Sequence, residues 1–426
     1  MRIPNARWYR IGLLLFLIYL AAFMDRSNIG MAAPQIVKSL GVSSTAIGVV
    51  LSAFFWGYVI TQVPGGWAAG KYSAKNVIVI SLVVLGISAI CTGLIKSFDM
   101  LIFFRFVMGL AEGVLWPAFS IFFVNWYLDK ERAKAVNFAE MALPISSIIM
   151  APLAGWMITQ WDYHTMFILQ GAPPLILAIL FAWLAADSPE KDKRLSKVER
   201  DYLVENRSTV IKEKGSFLDV IKNYRVWVFS FIYFLWITGV YSFGLWMPSL
   251  IKQLSNSGIG AVGWMTAIPF VLAAVFMYIN SVWSDHVGKN RVLFVSIPLM
   301  IGGIALAAEH FISGGLVFNM VLLIIAGIGI YSAFGPWWAW AMSFFPDNQT
   351  GTANGLINMC GNIGGIVGPI VVGAVAEGSD LSNGFYVLGY FLMAGSILAL
   401  VFGVVLKSKS ETTGHNGISE TKGQSI

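Results

Sequence analysis

Charge is what this sequence lacks most. Only 12% of its 426 residues are Asp, Glu, Lys or Arg, against roughly 25% in a soluble globular domain. A chain that is also 57% hydrophobic cannot cover itself with polar surface in water, so its expected solvent is a bilayer. Cysteine is nearly absent. Cys91 and Cys360 both sit in apolar segments and offer no disulfide framework. Histidine is scarce, and the four residues (His164, His286, His310 and His415) are scattered, none beside a cysteine at metal-ligand spacing. No glycine-rich phosphate loop leads into a basic residue. An enzyme therefore lacks its usual carriers, and neither metal nor cofactor is expected. No small-residue cleavage site follows the first apolar stretch, which is expected to remain as a span rather than be removed as a signal.

What the chain has instead is length of apolar run. Twelve stretches, near 11–31, 46–66, 76–95, 99–125, 136–158, 164–186, 224–250, 260–283, 292–309, 315–344, 351–376 and 384–407, are each long enough to cross a membrane as a helix. The expected class is all-α and integral to the membrane. One gap stands apart: 187–222 is dense in charge, with Ser196 and Glu199 at capping-box spacing for a short surface helix. It divides the chain into a six-helix bundle over 1–186, a central loop over 187–222 and a second six-helix bundle over 223–407. The Ser/Gly/Thr/Lys-rich tail, 408–426, is expected to be disordered.

Lysine and arginine set the orientation. Twenty-three of the 28 fall at the N-terminus, in the 2–3, 4–5, central and 8–9 loops, and at the C-terminus. Only Lys38, Lys96 and Lys252 lie on the other side. The positive-inside bias places both termini in the cytoplasm. It also accounts for the net charge of +6 without nucleic acid. The two halves echo each other: GGWAAGKYSAK from Gly65 and SVWSDHVGKNR from Ser281 occupy equivalent loops. Repeated halves are a transporter feature, with the substrate site near the midplane between them.

Four charges fall inside spans. A charge at the bilayer centre costs at least about 2.5–3.5 kcal/mol, so Asp25, Arg26, Arg105 and Glu112 are functional candidates. Asp25 and Arg26 are adjacent and point about 100° apart, so they are expected to serve different partners. Arg105 and Glu112, seven residues apart, share a helix face at two depths, with Gly109 and Gly113 admitting a close neighbour. The competing reading puts Asp25, Arg26 and Arg105 at the outer interface, reaching for water. Chemistry divides the roles. A guanidinium stays charged and its planar fork fits a carboxylate, which makes Arg26 and Arg105 the anion binders. Burial and a neighbouring arginine pull a carboxylate's proton affinity in opposite directions, which makes Asp25 and Glu112 the proton carriers.

The runs MDRSNIG (24–30), FFWGYVITQVPGG (54–66), RFVMGLAEGVLWPAF (105–119), GPWWAW (335–340) and NMCGNIGGIVGP (358–369) resemble the major facilitator superfamily, and within it the anion:cation symporters such as the hexuronate, galactonate, glucarate, tartrate and phthalate permeases. The resemblance covers nearly the whole chain. It implies that the acids Asp25 and Glu112 couple protons, that Arg26 and Arg105 hold substrate carboxylate, and that Asn362 of the N-x-x-G-N run binds ligand. Two positions depart from the pattern. The usual loop Asp is Gly70 in the first copy and Asp285 in the second, and a glutamine of the fifth span is replaced by Leu143.

Polar candidates surround these charges. Tyr58 lies mid-span, and Asn358 and Asn362 share a helix face, where an amide both donates and accepts. Most aromatics of the seventh and tenth spans are expected at membrane interfaces, with Tyr241 and Trp338 as cavity lining. Glu140, early in the fifth span, is expected to stay wet. The expected function is proton-coupled symport of a small organic anion, foremost a sugar acid (aldonate, aldarate or hexuronate), by a monomer in a bacterial inner membrane. An exchanger of organic anions or organophosphates, or a sodium-coupled carrier of an aromatic or dicarboxylic acid, is the alternative.

Overall fold

The structure is a computed structural model that describes residues 5–206, 217–288, 290–311 and 314–420. Among the described residues, twelve helices are long and apolar enough to cross a membrane: α1 Trp8–Leu40, α2 Ser44–Lys71, α3 Ala74–Leu94, α4 Phe98–Trp126, α5 Lys134–Gln160, α6 Tyr163–Leu184, α7 Tyr224–Ser255, α8 Ile259–Val287, α9 Arg291–Ala308, α10 Leu316–Met342, α11 Gln349–Ala376 and α12 Ser382–Leu406. No strand occurs among the described residues. The all-α, twelve-span class read from the sequence is the class observed.

Helix α1 is longer than its apolar run. It continues past Met31 through Pro34 to Leu40, which moves Asp25 and Arg26 from the end of the helix to its middle. The helix of α12 runs on past the span to Glu420, so 408–420 is helical where the composition led us to expect disorder. An existing helix supplies the nucleus that a short polar segment cannot form alone. The remaining tail, 421–426, lies outside the described residues, as do 207–216 of the central loop.

Single-residue irregularities interrupt four spans at corresponding places in the two halves: Val114 in α4 with Ala333 in α10, and Met141 in α5 with Ile363 in α11. Three of them sit three residues before a proline, namely Pro117, Pro144 and Pro336. Proline donates no N–H to the carbonyl four residues back and so loosens the turn there. Ser332 is such a carbonyl, and Asn280 of α8 donates its amide to it at 2.8 Å. The fourth precedes the Gly364–Gly365 pair.

Helices α1–α6 pack among themselves, as do α7–α12, and the two groups meet where α5 packs on α8, α2 on α11 and α1 on α7. The halves meet at mid-membrane, where Arg26 of α1 bonds Tyr241 of α7, and at the end of the molecule away from the chain termini. There Thr45 at the start of α2 bonds Glu377 beyond α11, and Gly263 of α8 lies so close to the Ala151 carbonyl of α5 that no Cβ would fit. At the end bearing the termini the same helices part, and Glu140 of α5 and Asn354 and Gly355 of α11 are exposed. The central cavity thus opens toward the termini.

Tyr224, Trp227 and Phe231 at the start of α7 are exposed, but the tyrosines and tryptophans deeper in α7 and α10 do not form an interface belt. Trp236 and Trp337 are fully buried, and Tyr233, Trp246 and Trp340 nearly so. All but Trp246 stack on one another between the two helices, Tyr233 on Trp337 at 5.4 Å and Trp236 edge-on to Trp337 at 5.8 Å. The indole N–H of Trp236 donates to the Ile330 carbonyl at 2.9 Å and that of Trp246 to the Pro369 carbonyl at 3.1 Å. A buried Trp needs such a partner, and having one it can serve as core.

Candidate functional site

Helix α4 reaches the midplane because α2 lets it come close. A Cβ on Gly109 would collide with the Phe54 carbonyl of α2, so the two backbones touch there. Both Arg105 and Glu112 are thereby brought against α1. Arg105 is fully buried and Glu112 is 1% exposed, as are Asp25 and Arg26 at 1% and 5%. The interface reading is excluded for all of them.

The four charges pair across helices, not along them. Arg26 donates from Nε to Glu112 Oε1 at 3.1 Å and from Nη2 to the same oxygen. Its remaining edge crosses to the second half of the chain, Nη1 donating to the Tyr241 hydroxyl of α7 at 3.1 Å. Tyr241 in turn donates to Asn362 Oδ1 of α11 at 2.8 Å, and Asn362 Nδ2 donates to the Asn358 carbonyl one turn back. Rings enclose the guanidinium, with Phe23 at 4.5 Å, Tyr58 at 4.7 Å and Phe54 at 5.1 Å from its carbon, all within cation–π range. Four helices from both halves therefore converge on one buried arginine.

Arg105 does a different job. Its Nη1 donates to the backbone carbonyl of Asp25 at 3.2 Å, and its guanidinium lies 5.3 Å from the Phe54 ring. Nε and Nη2 have no hydrogen-bond partner among the described residues. Asp25 turns away from the centre, toward α6. Its Oδ1 lies 3.4 Å from the Asn28 amide, which also bonds Gln170.

A cavity of about 70 Å³ lies beside Arg26 and Tyr241 at the junction of the two halves. Of the candidates read from sequence, Arg26 and Tyr241 line it, and Glu112, Tyr58 and Asn362 stand directly behind them. Asn358, one turn nearer the open end, is half-buried. Trp338 packs against Tyr233 at 5.1 Å and does not line this cavity. Leu143 does line it, so the position that departs from the symporter pattern faces the site. Glu140 is exposed on the open side, within electrostatic range of Tyr19 and Tyr233. Sequence reasoning missed Ser147, Thr266 and Tyr331, which also line the cavity. The available signal was a lone hydroxyl in an apolar run, as in GWMTAIP for Thr266. No group of three or more His, Cys, Asp or Glu able to hold a metal occurs among the described residues.

This arrangement can hold a small anion at a cation shared by both halves. A protein of Agrobacterium vitis named provisionally as a tartrate transporter is 29% identical over 408 residues, covering 92% of this chain and 89% of its own. One of Bacillus subtilis (strain 168), named provisionally as a galactarate/D-glucarate transporter, is 26% identical over 433 residues, covering 93% and 94%. The fold matches a bacterial homologue of the human lysosomal transporter Spinster, solved inward-facing and occupied, with TM-score 0.75 at 15% identity, covering 96% of this chain and 98% of that one. The family model of the Major Facilitator Superfamily matches residues 15–369 and, again, 261–420. The chain is a transporter, not an enzyme, and it belongs to the Major Facilitator Superfamily.

Proposed function

We propose that this transporter takes up a small organic anion together with protons by alternating access, and that the anion is a sugar acid or related hydroxy-dicarboxylate. The observation that carries the reading is the single guanidinium of Arg26, bound at once to Glu112 in the first half and to Tyr241 in the second. An arginine fork takes one carboxylate per edge. A substrate carboxylate therefore competes with Glu112 for Arg26, and a proton on Glu112 removes that competition. This is the coupling step.

Charge accounting supports the same reading. Asp25, Glu112, Arg26 and Arg105 sum to zero when all are ionised. An anion entering this buried neutral set leaves it net negative unless a proton enters too, and an uncompensated buried charge is costly. Two acids provide for two protons, which suits a dicarboxylate. Arg105, with two donor nitrogens unpartnered, is the second carboxylate receptor in this reading. Tyr241, joined by Thr266, Ser147 and Tyr331 around the cavity and backed by Asn362, presents the donors and acceptors that hydroxyl groups need. The names of the relatives, tartrate and galactarate/D-glucarate transporters, fall in the same chemical class.

The positive-inside bias orients the molecule with termini and central loop in the cytoplasm. The open end of the cavity then faces inward. A bacterial inner membrane and a monomer, with both halves in one chain, complete the reading.

The test is external pH in de-energised cells expressing the protein while sugar acids and dicarboxylates are added one at a time. Alkalinisation with one compound, lost in Glu112→Gln, is the expected result. Uptake of a compound with no pH change would overturn proton coupling and point to exchange or to sodium.

A further inference from the structure

Asp25 and Arg26 are neighbours in sequence, yet they face different spaces. Arg26 lines the central cavity between the two halves. Asp25 lines a separate crevice of about 300 Å³ between α1 and α6. Its walls are Leu17, Leu20, Met24 and Leu177, and its rim includes Pro173 and Ile176. Both rim residues are exposed, Ile176 by 55%. Exposed apolar residues in the middle of a spanning helix face lipid, so the crevice opens sideways into the bilayer.

The inner end of this apolar crevice is polar. Gln170 and Asp25 are its two polar lining residues. Gln170 is engaged with Asn28 and with the Met150 sulfur. Asp25 is 1% exposed, and its Oδ2 has no hydrogen-bond partner among the described residues. Beside it, Asn28 Oδ1 is likewise unpartnered. Arg105 commits its Nη1 to the Asp25 backbone carbonyl instead of the carboxylate. A buried acceptor left without a donor is destabilised, the more so when charged. The site therefore calls for a donor arriving from the lipid side on an apolar stem.

We propose that the α1–α6 crevice is a second ligand site, distinct from the central cavity, that takes a protonated aliphatic amine from the bilayer and seats its N–H on the Asp25 carboxylate. The inference rests on the crevice alone and holds whether or not Asp25 carries a transported proton.

The experiment is carboxyl modification of the full chain in proteoliposomes, read by mass spectrometry of the Asp25 peptide. Dicyclohexylcarbodiimide, which dissolves in lipid, is the probe. The carboxyl proton passes to a carbodiimide nitrogen while the carboxyl oxygen bonds the central carbon, giving the O-acylisourea, which rearranges to the stable N-acylurea. Asp25 is expected to be modified. Dimethyloctylamine, a tertiary amine that cannot be acylated, is expected to suppress the label, whereas octanesulfonate is not. Ile176→Trp, on the lipid-facing rim, is expected to lose most of the label while leaving uptake of tartrate or glucarate unchanged. Equal labelling by a charged, water-soluble carbodiimide, insensitive to dimethyloctylamine and to Ile176→Trp, would show that Asp25 is reached through the central cavity and overturn the proposal. So would an Asp25 that labels only after denaturation.

Discussion

Arg26 and Glu112 form one buried ion pair between α1 and α4, with Arg26 Nε 3.1 Å from Glu112 Oε1. Glu112 Oε2 has no partner among the described residues, so the whole pairing rests on one oxygen. Glutamine at 112 keeps the oxygen and the shape while losing the charge and the proton. We expect Glu112→Gln to abolish accumulation driven by a pH gradient while retaining substrate counterflow, because Arg26 is then free for the anion at any pH. Counterflow and gradient-driven uptake in the same vesicles check this. Full gradient-driven accumulation by the variant would remove Glu112 from the proton path.

Tyr241 carries the same arginine across to the second half. Its hydroxyl accepts from Arg26 Nη1 and donates to Asn362. A hydrogen bond to a charged group contributes about 1.5–3 kcal/mol. Tyr241→Phe leaves the ring in place and removes only that link, so the apparent affinity for the anion is expected to fall by about tenfold or more. Proton stoichiometry should not change. Parallel measurement of KM and of protons moved per anion tests both halves of the statement, and altered stoichiometry would place Tyr241 in the proton path.

The composition was enough to show twelve spans, and the four charges singled out inside them are all buried in the structure. What the sequence withheld was pairing. Seven-residue spacing put Arg105 and Glu112 on one face of α4, but it could not show that Arg26 takes Glu112 while Arg105 takes a backbone carbonyl. Those choices depend on how closely α4 approaches α2, which the Gly109 contact decides. The seventh and tenth spans misled for a related reason. Tryptophan near the ends of spans belongs at an interface only when no helix covers it, and here α7 and α10 cover each other. Asp25 gave no sign of turning toward α6, because Gln170 lies 142 residues from the Asn28 it bonds.

Leu143 offers a test of substrate choice. It lines the cavity with Ser147 one turn away on the same face of α5. An apolar wall leaves a substrate hydroxyl beside it unpaired, while an amide there would satisfy it. Leu143→Gln is expected to shift preference toward more heavily hydroxylated acids, raising glucarate uptake relative to tartrate. The readout is the ratio of the two competing uptakes. A lowered ratio would mean that the hydroxyls point elsewhere.

A short helix in the central loop, Lys197–Asn206, starts at Ser196, whose Oγ accepts the Glu199 N–H at 3.3 Å as the capping-box spacing implied. The Glu199 carboxylate then leaves its own helix for the start of α1. It accepts from the backbone N–H of Ala6 at 3.1 Å and of Arg7 at 3.2 Å, and from Arg7 Nη1 at 2.9 Å. Glu199 is fully buried and Arg7 is 2% exposed, while Arg7 Nη2 reaches Glu131 at 2.9 Å. The first amides of a helix have no partner within it and favour a negative charge, so Glu199 serves the α1 terminus from across the central loop. Removing one member of a buried pair costs about 3–5 kcal/mol, whereas a partly exposed pair contributes about 0–1 kcal/mol. Glu199→Ala should therefore lower the thermal midpoint in detergent far more than Glu131→Ala does. Equal, small shifts would show that the central loop is not anchored through Glu199.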